Sequence, residues 1–278
     1  QRAGPYGRIK SITASCECSC EAVLLINNGR MNMRVIRKSN YEEASMACAE
    51  LIASQIRLKP DCKIGLATGS TPIGTYKDLV DMYKAGSLDF SKVTSANLDE
   101  YRGLGGDHDQ SYRYFMNTNL FDHVNIDKSK TYVPDGLEQD AVKACTDYDN
   151  ILESLGHLDI QLLGIGGDGH IGFNEPADAF CVNTQCIDLE EQTIQDNARL
   201  FFNGDLAAVP TQAYTMGIGY IMKSTTVILM ATGAGKRDIV EKAFCGPVTP
   251  YVPASILQLH PNVVVIGDEA AISDAVVA

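Results

Sequence analysis

L-D-I-Q-L-L-G-I-G-G-D-G-H-I-G-F-N-E-P, residues Leu158 to Pro176, is the stretch from which the rest of the chain can be read. Asp159 to Leu163 reads as a short buried strand. Four glycines then fall within six residues (Gly164, Gly166, Gly167, Gly169), so the backbone turns tightly where the strand ends. Asp168, His170 and Glu175 sit on that turn, with Asn174 and Pro176 beside them. Open α/β sheets carry their chemistry at the C-terminal edges of strands. Two carboxylates flanking a histidine at such an edge are candidates for proton transfer. The plain alternative is a loop with a solvated histidine, and the coincidence of glycines, carboxylates and strand end weighs against it.

Gly164 to Gly169 also spells G-x-G-x-x-G, the pattern of a dinucleotide-binding turn. Three features oppose that reading. Asp168 would set a negative charge against a pyrophosphate. His170 to Pro176 has no apolar helical period and ends in proline. The pattern belongs to a first βα unit, and this one lies deep in the chain.

Working outward, Met33–Arg37 reads as a strand, and Asn40 with Glu43 reads as a capping box opening a helix from Tyr41 to Leu58. Lys63–Ala67 is a second strand, followed by Thr68-Gly69-Ser70-Thr71-Pro72 and a helix to about Ala85. A strand, a turn of small hydroxyl residues and a helix opened by proline is the architecture of an anion site, because the free N–H groups and dipole of the helix end point at the turn. An ordinary capped βα turn is the alternative; no Gly-Lys-Ser/Thr follows, so it is not a Walker loop. Val93–Leu98 reads as a strand ending in Asp99-Glu100-Tyr101, an acidic pair on the same edge as the two loops and a candidate general base. His108–Tyr112 starts a helix to about Leu120, Thr131–Val133 is a short strand, and a helix from Leu137 to Leu155 leads into the central strand.

Beyond the turn, no period holds from Ala177 to Pro210, a length that predicts a lid or binding loop. Arg199 lies in it, ahead of Leu200-Phe201-Phe202. Met216–Ile221 reads as a short helix and Thr226–Ala231 as a strand. Gly233-Ala234-Gly235-Lys236 opens a helix, where a cation is unfavourable unless it meets an anion. Pro253–Leu259 reads as a short helix and Val263–Ile266 as a final strand. The alternation predicts an α/β fold: a doubly wound, mostly parallel sheet with helices on both faces, Rossmann-like, in a single domain.

The composition agrees. Of 278 residues 45% are hydrophobic and 21% charged, enough for one globular domain with a sizeable core. No run approaches the roughly 20 apolar residues a membrane span needs. A net charge of −12 makes nucleic acid and anionic membranes poor partners, and an anionic substrate would need local cations. Six of the nine cysteines are scattered without metal spacing, the pattern of reduced thiols in a cytoplasmic protein. Cys16, Cys18 and Cys20 alternate as C-x-C-x-C, a possible soft-metal site with no further ligand cluster to support it. Residues 1–32 share no pattern with the rest and are expected to be a leader or extension, the folded protein beginning near Met33.

Gly65-Leu66-Ala67-Thr68-Gly69-Ser70-Thr71-Pro72, Asn97-Leu98-Asp99-Glu100-Tyr101, the Gly164–Pro176 run and Ser255–His260 (S-I-L-Q-L-H) together resemble, in order and spacing, the glucosamine-6-phosphate deaminase family over about Met33 to Gly267. The resemblance implies conversion of glucosamine 6-phosphate and water into fructose 6-phosphate and ammonia, with no metal or organic cofactor. It assigns ring opening to His170, tuned by Asp168 and Glu175, and proton transfer from C2 to C1 to Asp99. It places the substrate phosphate on Gly69, Ser70 and Thr71, with Arg199 and Lys236 completing the clamp. Family members activated by N-acetylglucosamine 6-phosphate hold it with basic residues just after the F-N-E-P run. Residues 178–188 contain no Lys or Arg, and Gln185 and Ile187 align with that basic pair. The resemblance therefore implies a monomer or small homo-oligomer without that activation. Two rivals remain: a 6-phosphogluconolactonase, of related fold but needing no C2 base, and a sugar-phosphate-sensing regulator, for which no basic DNA-binding helix is found.

Overall fold

Seven short strands pair edge to edge, every pair parallel, in the order β1 (Met33–Lys38), β10 (Val263–Asp268), β9 (Thr226–Ala231), β6 (Ile160–Leu163), β2 (Lys63–Leu66), β3 (Thr94–Asn97) and β5 (Thr131–Tyr132). The computed structural model describes residues 33–277 except positions 190, 192–193, 196–197, 200–203 and 207. The expected leader and its C-x-C-x-C cysteines lie outside the described residues. Consecutive residues of β6, β9 and β10 are buried, so both faces of the sheet centre are covered, as parallel sheets require. The order explains why these strands read as apolar runs rather than alternations.

Helix α1 (Tyr41–Leu58) buries Ala44, Cys48, Ile52 and Ile56 along one stripe. Its cap differs by one residue from the expected box. The Asn40 side chain accepts the Glu43 N–H, but the Glu43 carboxylate accepts from Ser39 rather than Asn40. Helix α2 (Ile73–Lys84) follows the small-residue turn. Helix α4 (Ala141–Leu155) starts four residues later than its apolar pattern suggested, because Asp140 accepts the N–H groups of Val142 and Lys143.

From β2 the chain runs outward through β3 to β5, then returns to β6 and proceeds the other way through β9 to β10. β2 and β6 are neighbours whose exits lead in opposite directions, which is the switch point where open α/β sheets form their crevice. The Thr68–Pro72 turn and the Gly164–Pro176 run are those two exits.

A second sheet went unread in the sequence. After Leu98 the chain leaves the parallel sheet, and β4 (Asp99–Tyr101) pairs antiparallel with β8 (Gln212–Thr215), which pairs in turn with β7 (Gln185–Asp188). The segment expected to be a lid thus contains a strand. The Leu98 carbonyl accepts the Met216 N–H at 2.7 Å, sealing the exit. Two buried tyrosines cap carbonyls at the strand ends: Tyr76 donates to Ala67 O and Tyr148 to Asn97 O. Tyr148→Phe leaves the buried Asn97 carbonyl without that donor, and a loss of about 1–3 kcal/mol is expected. Urea unfolding checks it; unchanged stability would mean the carbonyl finds another partner.

Candidate active site

The Gly164–Pro176 run folds back on itself, with the Gly166 N–H bonded to His170 O at 2.9 Å. The imidazole then lies against the Gly166 backbone, where any Cβ would fall 2.3 Å from the ring. Two carboxylates meet one nitrogen: His170 Nδ1 is 2.8 Å from Asp168 Oδ1 and 3.1 Å from Glu175 Oε2. Nδ1 must therefore carry the proton. Nε2 makes no hydrogen bond among the described residues, so the other face of the ring is open to a ligand. Burial alone would lower the His170 pKa, but the two hydrogen bonds and charges outweigh it and push it up to about 9. Burial raises the Asp168 pKa, yet the His170 bond and charge and the Glu175 contact bring it well below the usual carboxylate range. These three donor atoms lie within 4.8 Å of one another, the described set that could hold a metal ion, and the same set holds a single proton on Nδ1.

The second sheet brings in Asp99. In β4 this residue sits opposite Thr215 of β8, and Thr215 Oγ1 accepts the Phe173 N–H at 3.0 Å. One threonine thereby joins the Asp99 strand to the His170 loop. Gly172 lies between them at φ +59°, where a Cβ would sit 3.0 Å from Thr215 Oγ1 and 3.5 Å from Asp99 Oδ2. Asp99 is 6% exposed; burial first, then the Glu100 charge, push its pKa up to about 8, opposed by His170. Glu100 points elsewhere and accepts the backbone N–H groups of Tyr101, Tyr112 and Arg113, each at 2.9 Å.

A cleft of about 250 Å³ gathers these groups. Asp99 and His170 line it with Tyr112 and Phe173; Gly69, Ser70, Thr71 and Lys236 line it as well. Tyr41 braces the small-residue turn, its hydroxyl 3.1–3.2 Å from the Ser70 and Thr71 carbonyls and accepting the Gly74 N–H at 2.8 Å. Lys236 donates to Ile165 O at 2.7 Å, holding its ammonium at the mouth of the glycine loop. Asp168 and Glu175 stand behind His170 and are not among the lining residues. Arg199 is exposed and is not among the described residues that line the cleft.

Some roles were not legible in the sequence. Tyr112 stacks on Phe173 at 6.0 Å and 15°, and its hydroxyl is 3.1 Å from that of Tyr101. Nothing local in the sequence distinguishes it from other tyrosines. The S-I-L-Q-L-H motif is scaffold. Ser255 Oγ closes the Thr249 turn, Gln258 caps the carbonyls of Ala243 and Gly246, and His260 bonds Ser224 O. The Ala254 N–H, one residue before the motif, supports Gly169 O from outside the cleft.

A switch-point cleft with a helix N-terminus, a lysine, a buried carboxylate and a carboxylate-clamped histidine defines a sugar-phosphate class of α/β protein. Residues 37–266 match the family described as Glucosamine-6-phosphate isomerases/6-phosphogluconolactonase, and the chain belongs to that family. It is 53% identical over 239 residues to a glucosamine-6-phosphate deaminase of Clostridium perfringens, covering 86% of this chain and 98% of the relative. Among solved structures it is similar to a monomeric glucosamine-6-phosphate deaminase, at 42% identity and a TM-score of 0.82, over 85% of this chain and 98% of that one. A 6-phosphogluconolactonase from Trypanosoma brucei shares the fold at 21% identity and a TM-score of 0.67, over 85% of this chain and 96% of that one.

Because two carboxylates raise the His170 pKa together, removing one charge should lower it. Glu175→Gln is expected to bring it down by about 1–2 units, followed by NMR titration of the imidazole. An unmoved titration would show that Glu175 does not act on the ring.

Proposed function

We propose that this cleft converts glucosamine 6-phosphate and water into fructose 6-phosphate and ammonia, with Asp99 as the base at C2 and His170 as the ring-opening group. The observation that carries the reading is the shared cleft of Asp99, His170, the α2 N-terminus and Lys236. A lactone hydrolysis would need no base at C2, and a carboxylate with a pKa near 8 is the group an enolisation wants.

The phosphate dianion rests on the Gly69–Thr71 turn, where the free N–H groups of the helix end and the hydroxyls of Ser70 and Thr71 converge, with Lys236 supplying positive charge. Arg199 is proposed as the second cation of this clamp. Anchoring there lets binding energy orient the distant carbons. His170 Nε2 exchanges a proton with the sugar, taking the one on the C1 hydroxyl and giving one to the ring oxygen, so the C1–O5 bond breaks and an aldehyde forms. Asp168 and Glu175 stabilise the imidazolium. Asp99 then removes the C2 proton while the C1 oxygen takes one from the protonated amine, and the enolamine so formed receives the Asp99 proton at C1. That leaves an iminium at C2, to which water adds before ammonia departs. The isomerisation moves a proton and an electron pair within one molecule and is redox-neutral, so its chemistry asks for no organic cofactor.

No described helix is long and apolar enough to cross a membrane. Cys48, Cys62, Cys145, Cys181 and Cys186 are free thiols, in keeping with the reducing cytoplasm we propose as the working compartment. We also propose that the protein works as a monomer or small oligomer with hyperbolic kinetics and no activation by N-acetylglucosamine 6-phosphate. Residues 177–210 are proposed to form the lid of this single catalytic domain.

Two substitutions test the assignments. Asp99→Asn cannot accept the C2 proton, and kcat for ammonia release is expected to fall by about 10²–10⁴-fold, with the melting temperature unchanged or higher because the buried position can no longer ionise. Deamination within a few-fold of the parent would remove Asp99 as the base. Lys236→Ala loses a charge-assisted contact of about 1.5–3 kcal/mol, or about 10- to 150-fold in KM. An unchanged KM would move the phosphate to another part of the cleft.

A further inference from the structure

Glu100 is 2% exposed and lies on the strand residue next to Asp99, yet it faces away from the cleft. Its carboxylate is fully engaged. Oε1 accepts from the N–H groups of Tyr101 and Tyr112, and Oε2 accepts from Arg113, all at 2.9 Å. Tyr112 and Arg113 are the first two residues of helix α3 (Tyr112–Asn119), whose cap is Ser111. One carboxylate therefore ties the strand that carries Asp99 to the helix that carries Tyr112, and both of those side chains line the cleft. An anion at a helix N-terminus is held by free N–H groups and the dipole, so the arrangement can keep a charge on a carboxylate that is only 2% exposed.

We propose that Glu100 is a positioning residue for the reaction: it locks β4 and α3 into one cleft wall and holds a second carboxylate one residue from Asp99. The proposal rests on the reading of Asp99 as the base. Other charges face Glu100 from the packed elements. Arg113 of α3 is the cation, itself fixed on Thr131 by two hydrogen bonds, and Asp135 lies in the loop that covers Glu100 from the far side. Around Asp99 the remaining titratable neighbours are His170 and the buried Tyr76, Tyr101, Tyr112 and Tyr148. Burial raises the Glu100 pKa to about 7 against the three N–H groups, so it changes charge in the same range as its neighbour.

Geometry and charge separate in two variants. Glu100→Gln keeps the length, loses the charge and turns an N–H group toward the Arg113 N–H. Glu100→Asp keeps the charge and is too short to hold both elements. In each, kcat is expected to fall about 10- to 100-fold with KM changed less than about threefold. The ascending limb of kcat/KM against pH is expected to move to lower pH by at least about 0.5 unit in Glu100→Gln, since a like charge has gone, and to stay in place in Glu100→Asp. A kinetic limb and an Asp99 carboxyl titration both unmoved in Glu100→Gln, or parental kcat in both variants, overturns the proposal. If Glu100→Gln does not fold, the kcat loss at near-constant KM in Glu100→Asp decides it. Infrared titration of the Asp99 carboxyl, identified by difference from Asp99→Asn, reads the coupling without turnover. A carboxyl that follows Glu100→Gln while the kinetic limb stays put supports the coupling and overturns the base reading instead.

Discussion

The departure of the chain from the parallel sheet at Leu98 is the constraint on which the site depends. Had β3 continued, Asp99 would have entered a ladder buried on both faces. Instead the Leu98 carbonyl takes the Met216 N–H, and Asp99 to Tyr101 pair with β8. This turns Asp99 toward the loop that carries His170. Thr215 serves both sides, opposite Asp99 in the ladder and bonded to Phe173 in the loop. The cost is a set of strand-end carbonyls without sheet partners, and buried tyrosine hydroxyls from α2 and α4 meet two of them.

An acidic protein holding an anion must separate its fields. The net charge is −12, and four carboxylates crowd the reaction end. Two of them, Asp168 and Glu175, are neutralised by the imidazolium between them. Glu100 is held by a helix end rather than by a cation alone. Asp99 has no such compensation and answers burial by a raised pKa, which makes it a stronger base than an exposed aspartate. At the proposed phosphate end, backbone N–H groups share the work with Lys236, so less positive charge has to be supplied against the overall negative field.

The motifs differ in what they do. The glycine run shapes a ligand-facing loop, and its glycines matter where the imidazole and the Asp99 wall press on the backbone. The S-I-L-Q-L-H segment has an equally specific sequence, but its polar side chains satisfy turns and a helix end. Residue type alone does not distinguish the two, since a histidine that bonds a backbone carbonyl through one nitrogen and accepts an N–H through the other is chemically occupied. His170 differs because its second nitrogen is left open toward a cleft.

The sequence by itself determined the parallel core, the two strand-exit loops, the clustered Asp168–His170–Glu175 group and the family, because these are written in short-range patterns: apolar runs, glycine spacing and contiguous motifs. Element boundaries shifted where a side chain intervened, as Asp140 did at the start of α4. Only the tertiary structure decided that β2 and β6 flank the switch point, that Gln212–Thr215 and Gln185–Asp188 form a second sheet, and that Glu100 and Asp99, adjacent in the chain, serve opposite faces of one strand. Those facts rest on pairings between residues distant in the chain, such as Ile64 with Ile160 and Asp99 with Thr215, and short strands of three or four residues carry too little local pattern to announce a partner.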